Sequence, residues 1–145
     1  MTSPFGIIGR CEWVHFSELE GCDIKAKIDT GADTSALHAW KIKPFEKNGQ
    51  EWVRFEIHPK QKTTEGKKMC EAPVLAKKDI KSSNGQIESR FTIRTPAKIG
   101  PHKYHIDLTL TNRDEMGFRM LLGRKAIKGR FLVDCAHSFL QSHTE

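Results

Sequence analysis

The sequence predicts an all-β protein with one short helix near its C-terminal end, and three observations lead there. Apolar residues recur mainly with a period of two, clusters of Pro, Gly, Asn and Ser cut the chain into strand-length pieces, and a helical pattern is confined to one short stretch. The chain of 145 residues fits one domain, 1–145, since domains most often run to about 100–150 residues. Hydrophobic residues make up 37% of it and aromatic residues 8%. That is enough for a small core, and the mixed charges argue against disorder.

Taken in order, strands are expected at Cys11–Phe16 and Asp23–Ile28. The stretch Ala36–Ile42 is ambiguous and admits a second helix. Val53, Phe55 and Ile57 then alternate with Arg54, Glu56 and His58, and further strands are expected at Met69–Ile80 and Ile87–Thr95. The clearest alternation is Tyr104, Ile106, Leu108 and Leu110 against His105, Asp107, Thr109 and Thr111, one face for a core and one for water. Met120-Leu121-Leu122 reads as an apolar strand, and Arg124–Lys128 as a short helix that starts after Gly123 and stops at Gly129. Breakers separate these elements at Pro44 to Gly49, Pro59 to Gly66, Ser82 to Gly85 and Pro96 to Pro101. Many short strands joined in this way close into a small barrel or sandwich, which hides the sheet edges.

A net charge of +6 and a pI near 9.2 favour anionic partners without choosing among them. The excess gathers at Lys60, Lys62, Lys67, Lys68, Lys77, Lys78 and Lys81, against Glu65, Glu71 and Asp79. It reads as a solvated, lysine-rich surface loop in preference to a dedicated anion site. Few aromatics are interleaved with these lysines, so base stacking is not indicated and nucleic acid is not an expected partner. Met1 to Arg10 lacks the pattern of a secretion signal, and no stretch approaches the roughly 20 apolar residues of a membrane span. A cytoplasmic protein with no membrane partner is expected. Cys11, Cys22, Cys70 and Cys135 form no C-x-x-C pair, which in that setting favours four reduced thiols.

The chemistry-bearing stretch is Ala26-Lys27-Ile28-Asp29-Thr30-Gly31-Ala32-Asp33-Thr34-Ser35, an amphipathic strand that ends in an acid. Gly31 is expected to take backbone angles closed to other residues, while Thr30 and Ser35 offer hydroxyls to tie the loop. Such a turn aims one carboxylate with backbone amides around it. An ordinary Asx-turn at a strand end would leave the same short trace. A second element shifts the balance: Met120-Leu121-Leu122-Gly123-Arg124-Lys125-Ala126-Ile127, an apolar strand, a glycine and a short helix far downstream.

Together these two segments resemble the retropepsins, in which a hydrophobic strand ending in D-T-G-A is braced late in the chain by a hydrophobic-hydrophobic-Gly-Arg segment and a helix. Glu12-Trp13-Val14, Thr34-Ser35-Ala36-Leu37-His38-Ala39 and Leu108-Thr109-Leu110-Thr111-Asn112-Arg113 narrow the resemblance to the RimB group. The resemblance implies a small closed barrel of the acid-protease type, homodimeric, with Asp29 as catalytic carboxylate and Thr30, Gly31 and Ala32 as its loop. It implies that Asp33, Gly123 and Arg124 support that loop, and that Ser83, Asn84 and Gly85 form the turn of a flap hairpin. It further implies an aspartic endopeptidase acting on glutamate-rich peptides or tails, linked to an ATP-grasp glutamate ligase that modifies a ribosomal protein. Group members carry Arg where this chain has Asp33. The chain departs there toward the wider family, in which the matching acid pairs with the Arg of the Gly-Arg segment, so an Asp33–Arg124 ion pair is expected.

An older description of the group as ATP-dependent zinc proteases finds no support in these residues. There is no H-E-x-x-H and no paired Cys/His ligand set; His102 and His105 fall on opposite faces of a strand, and Cys135 with His137 makes two ligands at most. No phosphate-cradling G-x-x-x-x-G-K-[ST] occurs, so neither metal nor cofactor is expected. Aspartic proteolysis needs two carboxylates that share a proton. Val133-Asp134-Cys135-Ala136 lacks the Thr and Gly of the acid turn, so an isologous dimer that pairs Asp29 with its symmetry mate is expected. The resemblance to retropepsins implies that Thr30 hydrogen-bonds across the axis. The alternative is a catalytically silent basic β-barrel that binds a ribosome or an acidic protein.

Overall fold

A computed structural model describes residues 5–60, 65–81, 85–112 and 117–141. The period-two segments become strands β1 (Gly6–Ile8), β2 (Cys11–Phe16), β3 (Cys22–Ile28), β4 (Ser35–His38), β5 (Trp40–Lys47), β6 (Gln50–Ile57), β7 (Lys68–Lys81), β8 (Ile87–Ile99) and β9 (His102–Thr111). Strand β10 (Met120–Leu122), the helical turn α1 (Arg124–Ile127) and β11 (Phe131–Val133) complete the order. One sheet runs β2-β3-β10-β4-β9-β8-β7-β6-β5, and a further pairing of β2 with β8, His15 opposite Lys98, closes its first part into a barrel. Strands β7, β6 and β5 continue outward from β8 as antiparallel hairpins.

Alternation accounts for the core. Val14 and Phe16 of β2, Ile24 and Ala26 of β3, Leu37 of β4, Leu108 and Leu110 of β9, and Met120 and Leu122 of β10 are each at most 1% exposed. Burying a Leu or Ile side chain contributes about 2 kcal/mol, so these residues dominate the stability of the barrel. Glu12 shares the inward face of β2 with Val14 and Phe16 and is fully buried. Its carboxyl oxygens accept N–H bonds from Gly9 at 2.7 Å, Leu140 at 2.8 Å and Gln141 at 3.1 Å, so one buried polar side chain ties the segment before β2 to residues 140–141.

Four expectations are corrected. The stretch Ala36–Ile42 is not helical: it is the end of β4 and the start of β5, with Leu37 and Ala39 buried. Parallel pairing with β9 gives its backbone long-range partners that outweigh local propensity. Pro44 does not break its strand, because β5 lies at the sheet edge, where a missing N–H costs no ladder bond. The turn comes at Asn48-Gly49, both with positive φ (53° and 75°). Strand β8 likewise runs through Pro96, paired with His105, to Ile99, and turns at Gly100. Lys68, Lys77 and Lys78 lie on strand β7 and not in a loop, with the Lys77 ammonium over the Phe91 ring at 5.6 Å. Lys62 lies outside the described residues. The short parallel pair β1–β11 has no counterpart in the sequence-based expectation.

Candidate active site

Strand β10 lies between β3 and β4, parallel to β3 (Met120 opposite Ala26, Leu122 opposite Ile28) and antiparallel to β4 (Met120 opposite Leu37). It therefore wedges apart the two strands that enter and leave the Asp29 loop. The loop is bonded at each step. Ile28 N–H donates to Arg10 O at 2.9 Å, Asp29 N–H to Leu122 O at 2.9 Å, and Ala32 N–H to Asp29 O at 3.2 Å. Gly31 N–H donates to the Asp29 carboxylate (Oδ1) at 3.0 Å. Asp29 itself is partly exposed and Thr30 is exposed.

Gly31 does not have the left-handed backbone expected of it. Its lack of a side chain serves space instead: a Cβ there would stand 3.2 Å from Asp29 Oδ1, crowding the carboxylate that its N–H holds. Gly123 is subject to a stricter version of the same constraint. With extended backbone (φ −90°, ψ 177°), it leaves no room for a Cβ, which would meet Thr34 C and O at 2.5 Å and Ala32 O at 3.0 Å. Its N–H donates to buried Ser35 Oγ at 3.0 Å.

Past Gly123, α1 fastens the far side of the loop. Arg124 N–H donates to Ala32 O at 2.7 Å and Lys125 N–H to Asp33 O at 3.1 Å. The Arg124 guanidinium donates to Thr30 O at 2.9 Å through Nη1, and its Nη2 stands 3.5 Å from Asp33 Oδ1. The expected Asp33–Arg124 pair is thus present, and Lys125 Nζ joins it at 3.4 Å from Asp33 Oδ2. The side chains of Asp33, Arg124 and Lys125 are more than half exposed, so the pair positions the loop more than it stabilises the fold.

Asp134 repeats part of this geometry at the end of β11. Its N–H donates to Ile8 O at 2.8 Å and its Oδ1 accepts Ala136 N–H at 3.0 Å. Its other oxygen pairs with His137 Nδ1 at 2.8 Å. The Ala136 amide and then the His137 side chain hold the Asp134 carboxyl below its ordinary value. A strand-end Asx-turn is therefore not unique to Asp29; the frame of β10, Gly123 and α1 is what distinguishes Asp29. Among the described residues no group of three His, Cys, Asp or Glu is placed to hold a metal ion, and His137 is already engaged by Asp134. Of the expected flap turn, Ser83 and Asn84 lie outside the described residues, while Gly85 has φ +88° and follows the β7–β8 pairing that reaches Lys81 and Ile87.

The family model described as RimB-like, "Retropepsin-like aspartic endopeptidase RimB", matches residues 7–144. A protein of Shewanella halifaxensis named probable alpha-L-glutamate ligase is 48% identical over 133 residues, covering 92% of this chain and 29% of that protein. One of the same name from Desulfotalea psychrophila is 49% identical over 130 residues, covering 90% of this chain and 28% of that protein. The chain thus spans less than a third of the length of these curated relatives. The crystal structure of a protein of unknown function from Legionella pneumophila superposes with a TM-score of 0.78 at 30% identity, covering 94% of this chain and 98% of that one.

Proposed function

The chain belongs to the RimB-like family of retropepsin-like aspartic endopeptidases, and from that membership we propose that it hydrolyses peptide bonds as a homodimer whose two Asp29 carboxylates form the catalytic dyad. The observation that carries this reading is the framed Asp29: a partly exposed carboxylate aimed by Gly31 N–H in a loop stapled to Gly123 and Arg124. Two such carboxylates brought together share one proton, because like charges in contact cannot both ionise. One then takes a proton from the attacking water while the other protonates the substrate carbonyl. Thr30, exposed beside Asp29, donates a hydrogen bond to the symmetry mate in this reading, and the β7–β8 hairpin covers the substrate.

The substrate in this reading is a glutamate-rich peptide or tail. The net charge of +6 draws acidic chains by long-range attraction. Relatives named for glutamate ligation carry a region similar to this chain within a longer protein, which supports a ligase as functional partner. Both activities then meet on the same product in the cytoplasm. No helix among the described residues is long and apolar enough to cross a membrane.

The test compares wild type with Asp29→Asn on oligoglutamate and on neutral peptides, with and without a chelator. Asp29→Asn should lose hydrolysis by at least about a thousandfold while keeping fold and dimer, since Asn keeps the shape but cannot act as a base. Full activity in the mutant would end the aspartic reading. A chelator-sensitive activity restored by zinc would replace it with a metallohydrolase.

A further inference from the structure

Beside the acid loop, Thr34 and Ser35 at the start of β4, Arg94 of β8, Tyr104 to Asp107 of β9 and the α1 segment to Arg130 line an open cavity of about 530 Å³. Its wall carries Arg94, Lys125, Arg130 and His105, and Asp107 is its one carboxylate. Arg94 neutralises Asp107 through Nε to Oδ1 at 2.8 Å and Nη2 to Oδ2 at 3.4 Å. Two cations remain. Lys125 shares the exposed Asp33 with Arg124. Arg130 has no carboxylate partner among the described residues; its guanidinium lies over the Tyr104 ring, 4.1 Å from the centroid. Tyr104 is fixed in turn by its hydroxyl, which donates to Ala126 O at 2.7 Å.

A guanidinium held over an aromatic ring still has N–H donors for a ligand, and its fork of donors matches a carboxylate. The cavity has the size of an ordinary ligand pocket, roughly 300–1,000 Å³, which exceeds the needs of a single small anion. It also borders the catalytic loop, since Thr34 lines it and Lys125 binds Asp33. We propose that this cavity is a second recognition site for acidic peptides, in which Arg130 and Lys125 take side-chain carboxylates of residues that lie outside the Asp29 cleft. The inference rests on the acidic-substrate reading above and adds where such a chain is held.

Tyr104 is the only tyrosine in the chain, so 3-fluorotyrosine places one fluorine reporter beneath Arg130. In Asp29→Asn protein so labelled, oligoglutamate should shift that resonance in a saturable way, whereas oligoglutamine and inorganic phosphate at equal ionic strength should not. Arg130→Gln should weaken oligoglutamate binding about tenfold, as expected for loss of one charge-assisted contact. Arg130→Lys should recover part of it. Lys47→Gln, an equal loss of charge on the distant β5–β6 hairpin, should change binding less than twofold. Lys125→Gln, at the other cation lining the cavity, gives a second reading should Arg130→Gln fail to fold. Equal weakening by Lys47→Gln and Arg130→Gln, or an oligoglutamate titration that leaves the Tyr104 resonance unmoved, would overturn the site. Saturable phosphate binding abolished by Arg130→Gln would overturn the peptide assignment in favour of a phosphoryl ligand. Because hydrolysis is not measured, these outcomes are independent of whether Asp29 is catalytic.

Discussion

At Gly123, between Ser35 Oγ and the backbone of Ala32 and Thr34, a methyl group would have to displace main chain. Gly123→Ala should therefore destabilise by about 3 kcal/mol, since overpacking against backbone relaxes poorly; a chemical melt within error of wild type would contradict this. Burial separates the thiols as well. It pushes Cys22 up to about 11 and Cys70 to about 12, while Cys135 is exposed. Thiolate reagents should modify Cys135 in the native protein and reach Cys22 and Cys70 only on unfolding, as peptide mapping would show. Tyr104, desolvated by burial and partly relieved by Arg130, is pushed up to about 12. Its neutral form is the one the fold favours. That contribution is complete below the unfolded value of about 10 and is lost as pH rises through about 12. Phenolate absorbance in the folded protein should stay flat through pH 10, and a midpoint there would refute the assignment.

Among the elements, β10 and α1 have more effect than their seven residues suggest. Arg124 makes an exposed ion pair, worth less than about 1 kcal/mol to the fold, yet it also holds the Thr30 carbonyl. Arg124→Ala should accordingly leave stability nearly unchanged while lowering peptidase activity more than tenfold and weakening the dimer; unfolding, turnover and sedimentation measured on one preparation would separate these effects. Strands β2, β3 and β9 were legible because one face of each is buried and the other is more exposed, and Asp29, Gly123 and Arg124 were legible because their spacing matches a known frame. The rest depended on distant partners. Ala36–Ile42 takes its strand form from pairing with β9, and Pro44 and Pro96 are tolerated by their place in the sheet. At Gly31 special backbone angles were expected and the constraint found is one of space, because sequence shows a missing side chain but not whether angle or space requires it. The cavity under Arg130 joins residues from four separate segments and left no local trace.

For the molecule as a whole, the proposed dyad takes one Asp29 from each of two chains, so sedimentation should show a species of about twice the chain mass at working concentrations, with activity falling on dilution below the dimer's Kd. A strictly monomeric, active protein would contradict it. Added salt should weaken oligoglutamate more than a neutral peptide, since screening acts on the long-range attraction of the +6 charge. The wedge of β10 between β3 and β4 has a further consequence for how the enzyme is made. Thr30 and the Arg124 that holds it are 94 residues apart, and contacts of such separation form late and slowly. On the ribosome, Asp29 emerges long before the strand that shapes its loop, so a nascent or prematurely terminated chain carries the acid without its frame. If the proposed dyad reading holds, proteolytic competence arises only when synthesis has passed Arg124.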